Sequence, residues 1–207
     1  MRQSTKTMFS NYARRSFLVC ATSIFMLTGC ATHYVDTALK DVPAEKLKKV
    51  AEPKPVQLLF EFQTKSGSNP VATNQLKSQV TDIVKSTGLF SDVSPTPVAN
   101  GTVLSIVVNN VVMTDDAASQ GFVTGLTFGL AGSSVTDGYV CTVVYIADSN
   151  TPKISKVVRH AIHTTLGNAK VPANAGKPVS MDEAVTTMLR QIVTNGVNDI
   201  ATDATFK

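Results

Sequence analysis

Hydrophobic and polar positions along residues 56–207 follow two periods, one typical of strands and one typical of helices. In residues 56–63 apolar side chains occupy every second position, as in a strand that is buried on one face. Segments 102–113, 139–147 and 154–166 are rich in valine and isoleucine and predict three more strands. Together these segments predict one small sheet.

Two other segments have the helical period and carry start signals. Asn69-Pro70 supplies an N-cap and a first helical residue, and Gly88 is a suitable stop. Ser180 with Glu183 three residues later forms a capping box. Apolar residues then recur at helical spacing to Ile200. The order of elements predicts an α+β domain, a small mixed β-sheet with two amphipathic helices packed on one face.

Short polar stretches predict the connections between these elements. Asp137-Gly138 has the composition of a turn, and residues 148–152 that of a hairpin loop. Pro172, Gly176 and Pro178 predict a loop over residues 170–178.

Residues 1–29 predict a cleaved signal peptide. A basic region that ends in Arg14-Arg15 precedes a mainly apolar stretch of eleven residues, 17–27, which is too short to span a bilayer. Leu27-Thr28-Gly29-Cys30 then resembles the bacterial lipobox. This resemblance implies that Cys30 is acylated and becomes the first residue of a lipoprotein. Since Ala31 and not aspartate follows, it also implies an outer-membrane location facing the periplasm.

Residues 30–55 predict a lipidated, flexible tether before the domain at 56–207. The segment is polar, rich in lysine, and ends in Glu52-Pro53-Lys54-Pro55. The expected organisation is therefore signal peptide, tether and one periplasmic domain.

The charge distribution argues against a nucleic-acid partner. The formal net charge is +4, but residues 1–29 contain four of the 19 Lys and Arg and none of the 15 Asp and Glu. The chain that remains after cleavage is neutral, so it lacks the basic surface that nucleic-acid binding requires.

Residues that could support catalysis or metal binding are few. Cys141 lies in an apolar strand pattern and predicts a buried side chain, and no internal disulfide is expected once Cys30 is acylated. His160 and His163 are three apart on a predicted strand, which places them on opposite faces and disfavours a shared metal. Asp115-Asp116 predicts a solvated turn. No motif for a nucleophile, a phosphate loop, zinc or a dinucleotide occurs, so we expect neither an enzyme nor a cofactor.

One uncharged, glycine-rich segment, residues 121–135, is a candidate contact surface. On a helix its glycines would form one stripe that allows a second helix to approach closely, whereas as strands it would form an apolar hairpin. It could cross the domain's own core, bind a protein partner or a second copy, or touch the membrane. The candidate contact residues are Gly121, Phe122, Gly125, Leu126, Phe128 and Gly129.

The order of elements resembles that of several small periplasmic lipoproteins. The junction from a helix through Gly88-Leu89-Phe90 to Val93 is similar to one in the curli-secretion lipoproteins, the lipoproteins that activate penicillin-binding proteins, and the N-terminal domain of the Tol-system propeller protein. This resemblance implies a non-enzymatic accessory or assembly factor of an envelope machine that acts by protein binding. The alternative is an oligomeric secretion or pore subunit that uses residues 121–133.

Overall fold

The computed structural model describes residues 31–99, 101–112, 127–129 and 132–206, and it confirms the α+β class. Nine strands and two α-helices form the described domain. The strands are β1 (Ala31–Asp36), β2 (Lys54–Thr64), β3 (Gly67–Ser68), β4 (Phe90–Ser94), β5 (Val103–Val112), β6 (Thr127–Gly129), β7 (Gly132–Ile146), β8 (Ile154–Gly167) and β9 (Ala175–Val179). The helices are α1 (Pro70–Ser86) and α2 (Met181–Ala201).

The strands make one mixed sheet in the order β3-β2-β5-β7-β8-β1-β9. Strand β4 pairs with β2, and β6 pairs with β7. Strands β2 and β5 are parallel, so α1 and β4 lie in the crossover between them. Strands β5, β7 and β8 are antiparallel and form the long centre of the sheet.

Local signals fix both helices as the sequence predicts. The Asn69 side chain accepts a hydrogen bond from the amide of Ala72 at 3.1 Å and so satisfies one free donor of α1. Gly88, which follows the C-cap residue Thr87, has φ of +66°, a conformation that favours glycine. Ser180 accepts from the amide of Glu183 at 3.2 Å at the start of α2.

The core lies between the helices and one face of the sheet. Helix α2 packs closely there, because a Cβ added at Gly196 would lie 2.7 Å from Cγ2 of Val143 on β7. The completely buried apolar residues of α2 are Ala184, Met188, Leu189, Ile192, Val193, Val197 and Ile200. These are the positions that the helical period predicts.

Two predicted connections are wrong. Asp137 and Gly138 do not form a turn but lie inside β7, since Asp137 is paired with Val112 on one side and with Ile162 on the other. Residues 175–178, predicted as part of a loop, belong to β9, which pairs with β1. In both places pairing with neighbouring strands satisfies the backbone and overrides local turn composition.

The start of the predicted tether also needs correction. The first six residues after Cys30 are not a spacer but form β1, which lies between β8 and β9 in the sheet. The chain then runs beside α2, where Asn195 donates to the carbonyl oxygen of Lys40 at 2.9 Å and Asn198 accepts from the amide of Lys48 at 3.0 Å. No helix in the described part of the chain combines the length and hydropathy needed to cross a membrane.

Candidate functional site

Strand β1 is held by a buried polar network on the face of the sheet that the helices do not cover. Thr136 on β7 and His163 on β8 are directly paired in register, and Asp36 of β1 reaches the same point. The distances are 2.8 Å from Thr136 Oγ1 to His163 Nδ1 and 3.1 Å from His163 Nε2 to Asp36 Oδ2. Asn174 donates to the same Asp36 oxygen. The network therefore joins three strands and the loop before β9.

The hydrogen-bond partners of His163 determine which of its ring nitrogens carries a proton. The Asp36 carboxylate is an acceptor, so His163 donates through Nε2. When His163 is neutral its Nδ1 accepts from the hydroxyl of Thr136. The order hydroxyl, imidazole, carboxylate is that of a hydrolase triad. Thr136 is buried, however, and this arrangement stabilises the position of β1.

The network perturbs the carboxyl group of Asp36. Burial alone would raise its pKa, but the hydrogen bonds from His163 and from the backbone amide of Ala38, with the charge that His163 can carry, lower the pKa below its ordinary value of 3.8. Asp36 is therefore ionised at neutral pH and is a strong acceptor for the buried His163 and the half-buried Asn174.

A second polar group links β8 to α2 and to the segment after β1. Gln191 donates its amide to Asp41 at 3.2 Å, so its Oε1 faces His160 and accepts from His160 Nε2 at 2.6 Å. His160 Nδ1 has no hydrogen-bond partner among the described residues. Burial is the main reason that the pKa of His160 lies below 6.5, which keeps the imidazole neutral. Arg190 adds an exposed ion pair to Asp41.

A cleft of about 430 Å³ opens between α1 and α2 on the opposite face of the sheet. Its floor contains Phe62 and Tyr139, whose ring centroids lie 6.5 Å apart. Burial first, and then the charge of Asp137, raise the pKa of Tyr139, so its hydroxyl stays protonated. Apolar walls and a polar rim are supplied by Leu76, Val185, Met188, Gln75, Gln79, Asp182 and Thr186. This composition suits a side chain of a protein partner.

Most of the site residues predicted from the sequence lie outside the residues that the structure describes. The ones that lie outside are Cys30, Gly121, Phe122, Gly125 and Leu126. The other two, Phe128 and Gly129, lie in β6 and pair with Ser133 and Gly132 of β7. For these two positions the hairpin alternative therefore holds and the helical alternative does not.

The remaining candidates are placed by the strands. Cys141 is completely buried, and burial raises the pKa of its thiol to about 12. His160 and His163 lie on opposite faces of β8, as the strand prediction requires, and both are buried. Within the described residues no group of His, Cys, Asp and Glu is arranged to hold a metal ion. Asp115-Asp116 lies outside the described residues.

The sites predicted from the sequence did not include Asp36, Thr136, Asn174 or Gln191. Each is an ordinary polar residue in its own stretch of sequence. Pairing of the strands brings Asp36 and Thr136 to His163, the loop before β9 brings Asn174 to Asp36, and packing of α2 on the sheet brings Gln191 to His160. The one available signal was the pair of histidines inside an apolar strand, because a buried histidine requires polar partners.

No protein-family model matches the chain, and no curated protein sequence matches it either. Three solved structures are similar in outline. A dodecameric PelC from Paraburkholderia phytofirmans is 14% identical with a TM-score of 0.33, covering 81% of this chain and 96% of that one. A neuraminyllactose-binding hemagglutinin homolog from Helicobacter pylori is 14% identical with a TM-score of 0.38, covering 80% and 91%.

The third is a minor lipoprotein from Acinetobacter baumannii, 11% identical with a TM-score of 0.33, covering 72% of this chain and 89% of that one. All three TM-scores are low. The function proposed below therefore rests on the residues of this chain.

Proposed function

We propose that this protein is an outer-membrane lipoprotein facing the periplasm, acting through protein binding as a non-enzymatic accessory or assembly factor of an envelope machine. The observation that carries the proposal is the position of Cys30. The lipobox cysteine directly precedes β1, and β1 is built into the sheet between β8 and β9. A lipid on Cys30 would thus hold the folded domain at the membrane without a spacer.

This arrangement has a physical advantage for binding at one leaflet. Two or more acyl chains give stable anchoring, at about 0.8 kcal/mol for each buried methylene. Confinement to the membrane surface raises the effective concentration of the domain for any partner there. The hydrogen bonds of Asp36 hold β1 in the sheet. Since β1 directly follows the lipidated residue, they connect the lipid anchor firmly to the folded domain.

The cleft between α1 and α2 is the proposed partner site. It combines aromatic and aliphatic surface from Phe62, Leu76 and Val185 with amide groups of Gln75 and Gln79 at its rim. Interfaces of protein complexes have this combination of an apolar centre and a polar edge. The resemblance in element order to small envelope lipoproteins supports the same kind of partner.

Cys30→Ser should abolish lipid attachment and leave an unprocessed precursor that still carries residues 1–29. The reason is chemical, since the thiol of Cys30 is the acceptor of the diacylglycerol in a lipobox. Incorporation of radiolabelled palmitate and the mass of the mature protein in membrane fractions measure the effect.

Cys20→Ser is the matched control, because Cys20 lies in the apolar stretch that leaves with the signal. It should be processed and labelled normally. Palmitate incorporation and normal processing in Cys30→Ser would refute the lipoprotein assignment.

A photo-crosslinking side chain in place of Gln75 should capture the partner in living cells. Gln75 lines the cleft, whereas its neighbour Asn74 is exposed on the same helix and does not line it. We therefore expect an adduct at position 75 that is several-fold stronger than at position 74. Electrophoretic mass of the adducts is the measurement.

The adduct mass also separates the two functional hypotheses. A product of this chain with a different envelope protein supports the accessory role. A product at twice the chain's own mass supports the alternative, an oligomeric secretion or pore subunit. Equal labelling at both positions would show that the cleft is not the partner site.

A further inference from the structure

The cleft between α1 and α2 carries a negative charge at its rim and, among the described residues, no positive one. Of the residues that line it, Asp182 in the first turn of α2 is charged, and the others have apolar, aromatic, amide or hydroxyl side chains. Asp182 is exposed and forms no ion pair with another residue that the structure describes. Its carboxylate is therefore available to a cationic group of a partner.

The surface beside this carboxylate suits the rest of a basic side chain. Phe62, Leu76 and Val185 are half-buried in the cleft, and they offer aromatic and aliphatic contact. Lysine and arginine lay their apolar stems along such surface while the charged head reaches a polar group. The volume of about 430 Å³ is that of a pocket for a small molecule, so the cleft has room for two neighbouring side chains.

The start of a helix often carries carboxylates, because they face the positive end of the helix dipole. Asp182 and Glu183 both lie in the first turn of α2 and both serve this purpose. Glu183 is exposed too, but it does not line the cleft. Position beside the apolar and aromatic surface, and not charge alone, therefore distinguishes Asp182.

The acidic rim of the cleft lies toward the end of the domain where β1 begins. Strands β1 and β9 are antiparallel with His33 opposite Val179, so Ala31 is level with the residues that lead into α2. The Cα atoms of Ala31 and Asp182 are therefore at most about 24 Å apart. Carboxylates this close to the proposed lipid anchor disfavour anionic headgroups as the occupant of the cleft and favour a cationic protein segment.

We propose that the cleft binds a segment of another envelope protein in which an apolar side chain is adjacent to an arginine or lysine, with the basic group paired to Asp182. The proposal rests on the proposed function, because it names the chemistry of the partner at the same cleft. The apolar side chain covers Leu76 and Val185. Arginine fits the rim best, since its planar fork donates two parallel hydrogen bonds to a carboxylate.

Photo-crosslinking from position 75 in living cells tests the role of the charge, with the full-length protein carrying one further substitution. Asp182→Asn removes the charge and keeps the size of the side chain. We expect the adduct with the partner to become several-fold weaker, because only the apolar contact remains. Glu183→Gln is the matched control, since it removes the neighbouring carboxylate of the same helical turn, and it should leave the adduct unchanged.

Asp182→Glu separates loss of charge from disturbance of the fold. It keeps the carboxylate, so we expect most of the adduct to remain. Circular dichroism of the purified variants and their amounts in membrane fractions show whether each one folds and is exported. Equal adducts in the natural, Asp182→Asn and Glu183→Gln backgrounds would overturn the proposal, and so would an equal loss in both neutral variants.

Mass spectrometry of the adduct identifies the contact segment of the partner. Digestion with a protease that does not cleave at basic residues keeps an apolar residue and its basic neighbour in one peptide. We expect a peptide of a different envelope protein that contains such a pair. A contact peptide without arginine or lysine, or one from a second copy of this chain, would refute the proposal.

The natural background separates failure of this inference from failure of the proposed function. An adduct that is strong at position 75, weak at position 74 and unchanged by Asp182→Asn would refute only the chemistry of the partner. Equal labelling at positions 75 and 74 would refute the cleft as the partner site, and this inference with it.

Discussion

Leu189→Ala should lower the stability of the domain by about 2–5 kcal/mol, the usual cost of removing a buried leucine side chain. Leu189 is in the middle of α2, has 0% of its surface exposed and belongs to the core that the helix makes with the sheet. A domain has only about 5–15 kcal/mol of stability in total, so this loss is a large fraction. Thermal unfolding of the purified protein should show it, at about 2–4 °C per kcal/mol for a domain of this size.

Leu59→Ala is the control for the same chemical change. Leu59 lies on β2 and is 46% exposed. Its truncation leaves no cavity, and we expect a change within about 0.5 kcal/mol. Equal melting temperatures for the two variants would mean that the apolar face of α2 is not the core.

The features that sequence could predict are those with nearby partners in the chain. Asn69 caps α1 through Ala72, and Ser180 caps α2 through Glu183, in both cases three residues away. The apolar face of α2 repeats every three or four residues, so Leu189 could be assigned to the core without knowing what it contacts. Local physics decides these elements, and they agree with the prediction.

Strand β1 could not be predicted for the opposite reason. Its stability comes from Asp36, whose partners His163 and Asn174 are 127 and 138 residues away in the sequence. Residues 31–36 contain only Tyr34 and Val35 as large apolar residues, so their hydrophobic pattern is weak. A short strand completed by side chains from distant segments has no local signature.

The sequence predicts the elements that carry the residues lining the cleft, but it does not predict that they enclose a cavity. Phe62 and Tyr139 fall in predicted strands, and Leu76 and Met188 fall on predicted helical faces. Whether two helices on one sheet close against each other or leave a gap depends on the separation of their axes and on the shapes of the side chains between them. Neither the separation of the helices nor the fit of the side chains between them produces a periodic pattern in the sequence.

Asp36→Ala should destabilise the domain by about 1.5–3 kcal/mol at neutral pH, the range for hydrogen bonds to a charged group. Removing the carboxylate leaves the buried His163 Nε2 and the half-buried amide of Asn174 without their acceptor. The matched control is Asp41→Ala, which removes another aspartate of the same N-terminal segment. Its pair with Arg190 is half-exposed, so we expect a loss of about 0–1 kcal/mol.

The pH dependence of the stability difference between the natural protein and Asp36→Ala tests whether the charge of Asp36 causes that difference. The pKa of Asp36 is lower in the folded protein than its ordinary value of 3.8, so the unfolded chain takes up this proton first as the pH falls. The stabilisation by Asp36 is therefore complete above pH 3.8 and is lost as the pH falls through the folded pKa. Urea unfolding at pH 7 and at decreasing pH below 4 should show the gap between natural protein and Asp36→Ala closing. A gap that stayed constant with pH would mean that packing of the side chain, and not its charge, holds β1 in the sheet.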